Sequence, residues 1–234
     1  MRLAIMQPYL FPYIGYFQLI NAADMFVVYD NIKYTKKGWI NRNRILCNGK
    51  AEYISLPVKK DSDFLNIDQR VISDDWHTEK HKMLNKIKEL YKKAPFFSTA
   101  FDTVYECINY KEENLFFYIK YTLETLCAYL SIKTPFATSS GIAIDHDLRS
   151  EEKVLAICNA LHAKTYINPI GGVELYSKEL FRQKGIELFF LKTNSFEYKQ
   201  FDNDFIPFLS IIDVMMFNAP EKIHQIINTE FTLE

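Results

Sequence analysis

The first thirty residues constrain the fold more than any other stretch of the chain. A short apolar run, residues 3–6, leads into an aromatic loop with two prolines, and a second apolar run, residues 25–29, ends at Asp30. The stretch between the two runs is long enough for a helix. A buried strand, a loop, a helix and a second buried strand form a β-α-β half of the kind that binds mononucleotides. The sequence therefore predicts an α/β fold with a Rossmann-like parallel sheet.

Composition narrows the class of protein. The 234 residues are enough for a single α/β domain over 1–234 with a buried core. The 28 basic and 29 acidic side chains leave a formal net charge of -1, so no global positive field attracts nucleic acid. The first apolar run is too short for a signal peptide or a membrane span, which predicts a cytoplasmic protein.

Two additions interrupt the α/β pattern. Residues 31–72 are predicted to form a β appendage, in which the alternating runs 52–56 and 66–72 pair as an antiparallel ribbon. Residues 74–133 show helical periodicity in three segments and are predicted to form a helical insertion. The α/β pattern then resumes with a helix that Ser150 is placed to cap.

Four predicted strands end in polar or glycine-containing loops, at residues 7–14, 30–37, 168–172 and 193–200. The carboxyl ends of parallel strands meet at one edge of a sheet, and ligands of such folds bind at that edge. The sequence therefore predicts a ligand site where the four loops converge.

Phosphate-binding signatures of the common kinds are missing. Neither G-x-G-x-x-G nor G-x-x-x-x-G-K-[ST] occurs, which disfavours a dinucleotide cofactor and a P-loop. Gly15 stands at the start of the first predicted helix, whose free N–H groups could bind a phosphate or carboxylate. The alternative is that Gly15 only allows the helix to pack closely against a strand.

Cationic side chains follow the second predicted strand: Lys33, Lys36, Lys37, Arg42 and Arg44. Arginine suits bidentate contacts with phosphate, and a β-like alternation would place both arginines on one face. Asn41 and Asn43 would then point the opposite way, toward hydroxyl groups of a substrate. The alternative is a solvated cationic edge strand.

Acid–base chemistry has few candidates. His81 could accept a proton from an amine, because imidazole exchanges protons near neutral pH. Asp30 ends a buried strand and could orient a hydroxyl group or cap the next turn. Asp213 lies in an apolar context and is either structural or functional. His77 and His81 are spaced for a metal, but no acidic third ligand accompanies them, so no metal is predicted.

Further candidates for substrate binding are aromatic, amide or glycine residues in or next to the predicted loops. They are Gln7, Tyr9, Tyr13, Tyr16, Tyr166, Gly171, Gly172, Tyr176 and Gln200. Aromatic rings could stack on a base or a sugar, although core packing accounts for most aromatic residues in proteins.

Several segments resemble one known family. The runs MQPYLFPYIGYF at 6–17, WINRNRI at 39–45, YKQ at 198–200 and FLSIID at 208–213 are similar to those of the WbqC-like proteins. The resemblance spans essentially the whole chain. That family is associated with O-antigen and other surface-polysaccharide gene clusters, which implies work on an activated amino sugar.

A more distant resemblance concerns Tyr13-Ile14-Gly15-Tyr16. The segment sits where nucleotidylyltransferases and pantothenate synthetase carry a His-x-Gly-His signature that binds ATP phosphates. Both histidines are tyrosines in this chain. A phenol forms hydrogen bonds but supplies no cation at neutral pH, so the similarity implies a shared fold rather than adenylyl transfer.

These observations combine into one functional hypothesis, that of a transferase in O-antigen or lipopolysaccharide biosynthesis. It moves an acyl or aminoacyl group onto the amine of a nucleotide-linked amino sugar. Gly15, Arg42 and Arg44 hold phosphates, Asp30 and Asn41 orient hydroxyls, and His81 removes the amine proton.

The partners in this hypothesis are a nucleotide-linked sugar and a small acyl or amino-acid donor. No cofactor is assigned, and ATP and an acyl donor are the candidates. The rivals are an ATP-dependent ligase or nucleotidylyltransferase and a non-catalytic sugar-nucleotide binding subunit.

Overall fold

A six-stranded sheet forms the centre of the molecule. The computed structural model describes all residues from 1 to 234. The strands of this sheet are β1 (Arg2–Met6), β2 (Met25–Val28), β5 (Phe136–Thr138), β6 (Thr165–Pro169), β7 (Glu187–Thr193) and β8 (Phe231–Leu233). Their order is β5-β2-β1-β6-β7-β8, and all neighbours are parallel except β7 and β8. The predicted Rossmann-like parallel sheet is confirmed.

Strand β1 is the point where the strand order reverses. The chain runs outward from β1 through β2 to β5 on one side, and from β6 through β7 to β8 on the other. Leu3, Ala4 and Ile5 in the middle of β1 are buried, as expected for a strand covered on both faces. In such sheets the crevice at the reversal point is the usual ligand site.

Helices cover both faces of the sheet. They are α1 (Ile14–Ala22), α2 (Trp76–Tyr91), α3 (Phe97–Asn109), α4 (Leu115–Tyr129), α5 (Ser150–Ala160), α6 (Lys178–Gln183), α7 (Ile211–Phe217) and α8 (Pro220–Thr229). Helices α5 and α6 pack on one face, and α1 packs with α7, α8 and the three helices of residues 74–133 on the other. None of these helices combines the length and apolar character needed to cross a membrane.

The β appendage pairs differently from the prediction. Strand β3 (Arg42–Cys47) and strand β4 (Lys50–Ser55) form an antiparallel hairpin, so the run 52–56 does not pair with 66–72 as a ribbon. Asn48 and Gly49 join the two strands with positive φ angles, which is the hairpin turn that Asn-Gly favours. Part of the run 66–72 is a 3₁₀ turn, Ile67–Gln69, and only Ile72 bridges back to Val58.

A buried carboxylate joins several of these segments. Asp213 on α7 accepts hydrogen bonds from Tyr91 Oη (2.8 Å), Tyr198 Oη (2.6 Å) and Gln200 Nε2 (2.7 Å). Tyr91 Oη also accepts the backbone N–H of Leu46 in β3. Burial raises the pKa of Asp213, and the three donors act in the opposite direction. The carboxylate therefore connects α2, α7, the hairpin and the loop after β7.

We expect Asp213→Asn to lower the free energy of unfolding by about 2–3 kcal/mol. The change conserves volume but places an amide NH₂ against groups that are all donors, so at least one buried donor loses its acceptor. Urea unfolding curves would measure the loss, with the exposed Asp204→Asn as control. Equal stability of the two variants would show that the carboxylate does not hold these segments together.

Candidate functional site

A cleft of about 970 Å³ opens at the carboxyl edge of the sheet, beside the reversal point. Its walls come from the loops after β1, β2 and β6 and from the segment that leads into α5. Parts of the β appendage, including Lys33, Phe64 and Asn66, line its outer side. The volume lies at the upper end of the range typical for small-molecule sites.

Five residues predicted from the sequence to bind substrate line this cleft: Gln7, Tyr9, Gly171, Gly172 and Tyr176. Gln7 and Tyr9 follow β1, whereas the other three belong to the segment after β6. These loops converge because the strands that precede them are parallel and adjacent. The lining also includes Tyr29 and Asn31, which follow β2.

Asp30 lies beneath the cleft rather than in its wall. Its side chain is buried, and its Oδ1 atom accepts hydrogen bonds from Ser139 Oγ (2.6 Å) and from the backbone N–H of Ser140 (2.9 Å). The adjacent residue, Asn31, reaches the cleft instead. Asp30 can therefore influence a ligand through its neighbours.

The aromatic candidates near β1 and β6 divide between two environments. Tyr16 and Tyr166 are buried, and their hydroxyls donate to Gln7 O (2.8 Å) and Asn168 Oδ1 (3.0 Å). Tyr13 lines a second, mainly apolar cavity of about 190 Å³ beside the end of β7. Its ring covers Gly15, so the space next to that glycine is already filled.

The cations of the β appendage have partners within the protein. Arg42 donates to the carbonyls of Lys37 and Gly38 and lies over the Tyr53 ring. Arg44 donates to Phe208 O (3.3 Å) and lies over the Trp39 ring. Lys36 pairs with Asp63. None of these three cations lines the large cleft.

Four other candidates lie outside the cleft as well. Asn41 Nδ2 donates to Leu56 O (2.8 Å), and Asn43 Nδ2 donates to Leu10 O (3.1 Å). Gln200 is buried against Asp213. His81 is exposed on α2 in the helical insertion, and it does not line the cleft. The structure thus brings together only part of the predicted set.

Lys153 is the most unusual residue in the cleft, and the sequence reasoning missed it. The residue is only 5% exposed, yet it forms no salt bridge. The ammonium donates to His146 O (3.2 Å) and Asn31 O (3.5 Å) and lies over the Tyr29 ring. Lys153 precedes Ile157 by four residues, so it shares the buried face of α5, and this spacing was the available signal.

Burial also shifts the acid–base properties of the cleft. The pKa of Lys153 is lowered by desolvation, and the carboxylates of Asp30, Asp147 and Asp68 oppose this effect at longer range. The pKa of Asp68 is raised, first by burial and then by repulsion from Asp30. A charged lysine without a directly bonded carboxylate in such a place favours an anionic ligand.

The start of α5 adds backbone N–H groups to the cleft wall. The sequence predicted a Ser150 cap, but α5 begins at Ser150 with Arg149 in the N-cap position and no side-chain cap. Ser150 has a positive φ of 49°, a conformation that does not suit a capping residue. The first N–H groups of α5 therefore remain available beside Arg149 and Lys153 in the cleft wall.

The fold and the cleft define an α/β protein with a Rossmann-like sheet and a large cleft at the reversal point of its strand order. The chain belongs to the WbqC-like protein family, whose model matches residues 7–225. It is 29% identical over 226 residues to the uncharacterized protein Rv1507c of Mycobacterium tuberculosis, covering 93% of this chain and 94% of that protein. No solved structure matches. Membership in the family suggests a role in the function of polysaccharide gene clusters.

Replacing Lys153 with methionine should stabilise the protein at neutral pH by about 1 kcal/mol, because the change removes a buried charge. The folded-state pKa of Lys153 lies below its ordinary value of 10.5, so wild-type stability rises with pH between those two values. The advantage of Lys153→Met should therefore shrink as pH rises.

Urea unfolding at pH 7 and pH 10 tests this expectation for Lys153, with the exposed Lys133→Met as control. A variant that is destabilised equally at both pH values would instead identify Lys153 as a structural residue.

Two neighbouring glycines provide a matched test of the cleft wall. A Cβ on Gly172 would overlap the Asn168 amide, whereas a Cβ on Gly171 meets nothing within 4 Å. Asn168 is held by Tyr166 Oη and donates to Pro169 O (3.1 Å). We expect Gly172→Ala to cost about 1–2 kcal/mol by displacing these bonds, and Gly171→Ala to stay within about 0.5 kcal/mol. Thermal unfolding measures the stability of both variants, and a similar loss of stability in the two would contradict the expectation.

Proposed function

We propose that this protein transfers an acyl or aminoacyl group to the amine of a nucleotide-linked amino sugar in surface-polysaccharide biosynthesis. The observation that carries the proposal is the buried ammonium of Lys153, which has no carboxylate partner and lies beside the uncapped start of α5. A phosphate group would supply the missing negative charge.

The anion-binding groups are arranged for more than one phosphate. Lys153 lies within the cleft wall, Arg149 and the first N–H groups of α5 lie beside it, and Lys33 lies on the appendage side. Backbone N–H groups at a helix start and a nearby cation together suit a diphosphate. We therefore place the diphosphate of the nucleotide sugar near the start of α5.

The remaining cleft surface suits the uncharged parts of such a ligand. Tyr9, Tyr29 and Tyr176 offer aromatic surface for a base or a sugar ring. Gln7 and Asn66 offer amide groups for hydroxyls. Gly171 leaves open space next to its Cα, which permits close approach of a ligand.

The reaction requires little covalent chemistry from the protein. The amine nitrogen of the sugar attacks the carbonyl carbon of an activated donor, R′C(=O)X. The N–C bond forms, the C–X bond breaks with its electron pair leaving on X, and the nitrogen loses one proton to a base. That proton then reaches X, giving the amide and HX. The base must lie in the cleft, where His146 is the histidine present.

Binding should depend on Lys153. We expect a uridine-, thymidine- or guanosine-diphosphate amino sugar to raise the melting temperature of the wild type. Lys153→Met should weaken that ligand at least about tenfold through loss of a charge-assisted contact, whereas Lys133→Met should not. Thermal-shift titration and calorimetry measure both effects. Equal affinities of the two variants would remove Lys153 from the site.

Product analysis by mass spectrometry separates the rival functions. Acylated sugar formed from an activated donor supports the transferase. Pyrophosphate release from ATP with a carboxylic acid would support an ATP-dependent ligase instead. Tight binding without any turnover would support a binding subunit, and no binding of any nucleotide sugar would overturn the assignment of the cleft.

A further inference from the structure

A chain of short contacts leads from the buried Asp30 to the surface of the cleft. Ser139 Oγ lies 2.6 Å from Asp30 Oδ1 and 2.8 Å from the side-chain amide of Asn31. The other end of the same amide lies 2.9 Å from His146 Nδ1. Asp30, Ser139, Asn31 and His146 thus form a hydrogen-bonded relay from a buried carboxylate to an exposed imidazole in the cleft wall.

The single proton of Ser139 determines the direction of the first bond. Asp30 Oδ1 already accepts the backbone N–H of Ser140, so it acts as an acceptor and Ser139 Oγ must donate to it. Ser139 Oγ also accepts the backbone N–H of Asp30 (3.2 Å). A hydroxyl has one proton and two lone pairs, so only one lone pair remains for Asn31.

That remaining lone pair determines the orientation of the Asn31 amide. With Oδ1 toward Ser139, two acceptors would face each other without a proton between them. A 180° rotation about the last side-chain bond exchanges Oδ1 and Nδ2 at nearly the same positions. The Asn31 NH₂ group then donates to Ser139 Oγ, and Asn31 Oδ1 faces His146 Nδ1.

The orientation of Asn31 in turn selects the tautomer of His146. An oxygen facing Nδ1 requires the proton on Nδ1, which leaves Nε2 with a free lone pair. Nε2 makes no hydrogen bond within the protein, and the ring lines the cleft. The Lys153 ammonium contacts both segments, because it donates to the carbonyls of Asn31 and His146.

We infer that His146 is the general base of the transfer reaction and that Asp30, Ser139 and Asn31 are positioning residues that keep its Nε2 unprotonated. The inference rests on the proposed function for the identity of the substrate amine. Nε2 accepts the proton that the amine nitrogen loses as its bond to the acyl carbon forms, and it later returns that proton to the leaving group X.

The tautomer of His146 can be measured without any substrate. Long-range ¹H–¹⁵N correlation spectra of protein labelled with ¹⁵N-histidine, at a pH where imidazoles are neutral, distinguish protonation at Nδ1 from protonation at Nε2. His146→Gln assigns the signal among the five histidines. We expect the Nδ1-protonated form in the wild type, and the Nε2-protonated form would overturn the relay.

Variants of the relay test the direction of the coupling. Ser139→Ala removes the group that orients Asn31, so the His146 signal should move toward the Nε2-protonated form. Ser98→Ala, at an exposed position on α3, should leave the signal unchanged. An unchanged signal in Ser139→Ala would show that Ser139 does not set the tautomer.

Kinetics separate the inference from the proposed function. With an active sugar and donor, His146→Gln should lower kcat by about 100-fold or more with little change in KM, as expected for loss of a general base. An unchanged kcat would exclude His146 as the base while leaving the transferase intact. If no pair of substrates reacts, the proposed function fails, and the tautomer spectrum still decides whether the relay exists.

Discussion

The placement of β1 in the middle of a parallel sheet determines most of the architecture. Its backbone pairs with β2 on one side and β6 on the other, with Met6 opposite Val28 and Ala4 opposite Ile167. Parallel neighbours need crossover connections, and these connections place helices on both faces of the sheet. All loops that follow the parallel strands are therefore at one edge, which is why residues distant in sequence meet in one cleft.

Two buried charges in this structure have different consequences. Asp213 is surrounded by three donors from the protein itself, so its bonding is complete and its role is to join segments. Lys153 has carbonyl partners but no carboxylate bonded to it, and burial lowers its pKa. A charge that lacks its counter-charge inside the protein destabilises the fold, and a ligand that brings the counter-charge reverses that cost.

The sequence predicted the sheet because its apolar runs, and the polar or glycine-containing loops that follow them, are local features of the chain. It missed β5 and β8, since strands of three residues are too short to show a period. The candidate site was harder to predict. Whether a cation is available to a ligand depends on which carbonyls and aromatic rings lie near it in the fold. Arg42 donates to a carbonyl of the β appendage, and Arg44 donates to Phe208 O in a neighbouring loop. Lys153 is of a residue type that usually lies at the surface, and only its four-residue spacing from Ile157 indicates that it shares the buried face of α5.

The short strand β5 explains how Asp30 can matter without touching a ligand. Val28 and Thr138 are register partners, so the residues just beyond them, Asp30 and Ser139, come into contact. The same edge therefore carries a buried carboxylate, a hydroxyl with one proton and an amide that faces the cleft. Each group has a fixed number of donors and acceptors. The Asp30 carboxylate, which only accepts, therefore determines which nitrogen of His146 carries the proton. The three-residue strand β5 thus positions Ser139 to contact both Asp30 and Asn31, and through them it affects the chemistry proposed for the cleft.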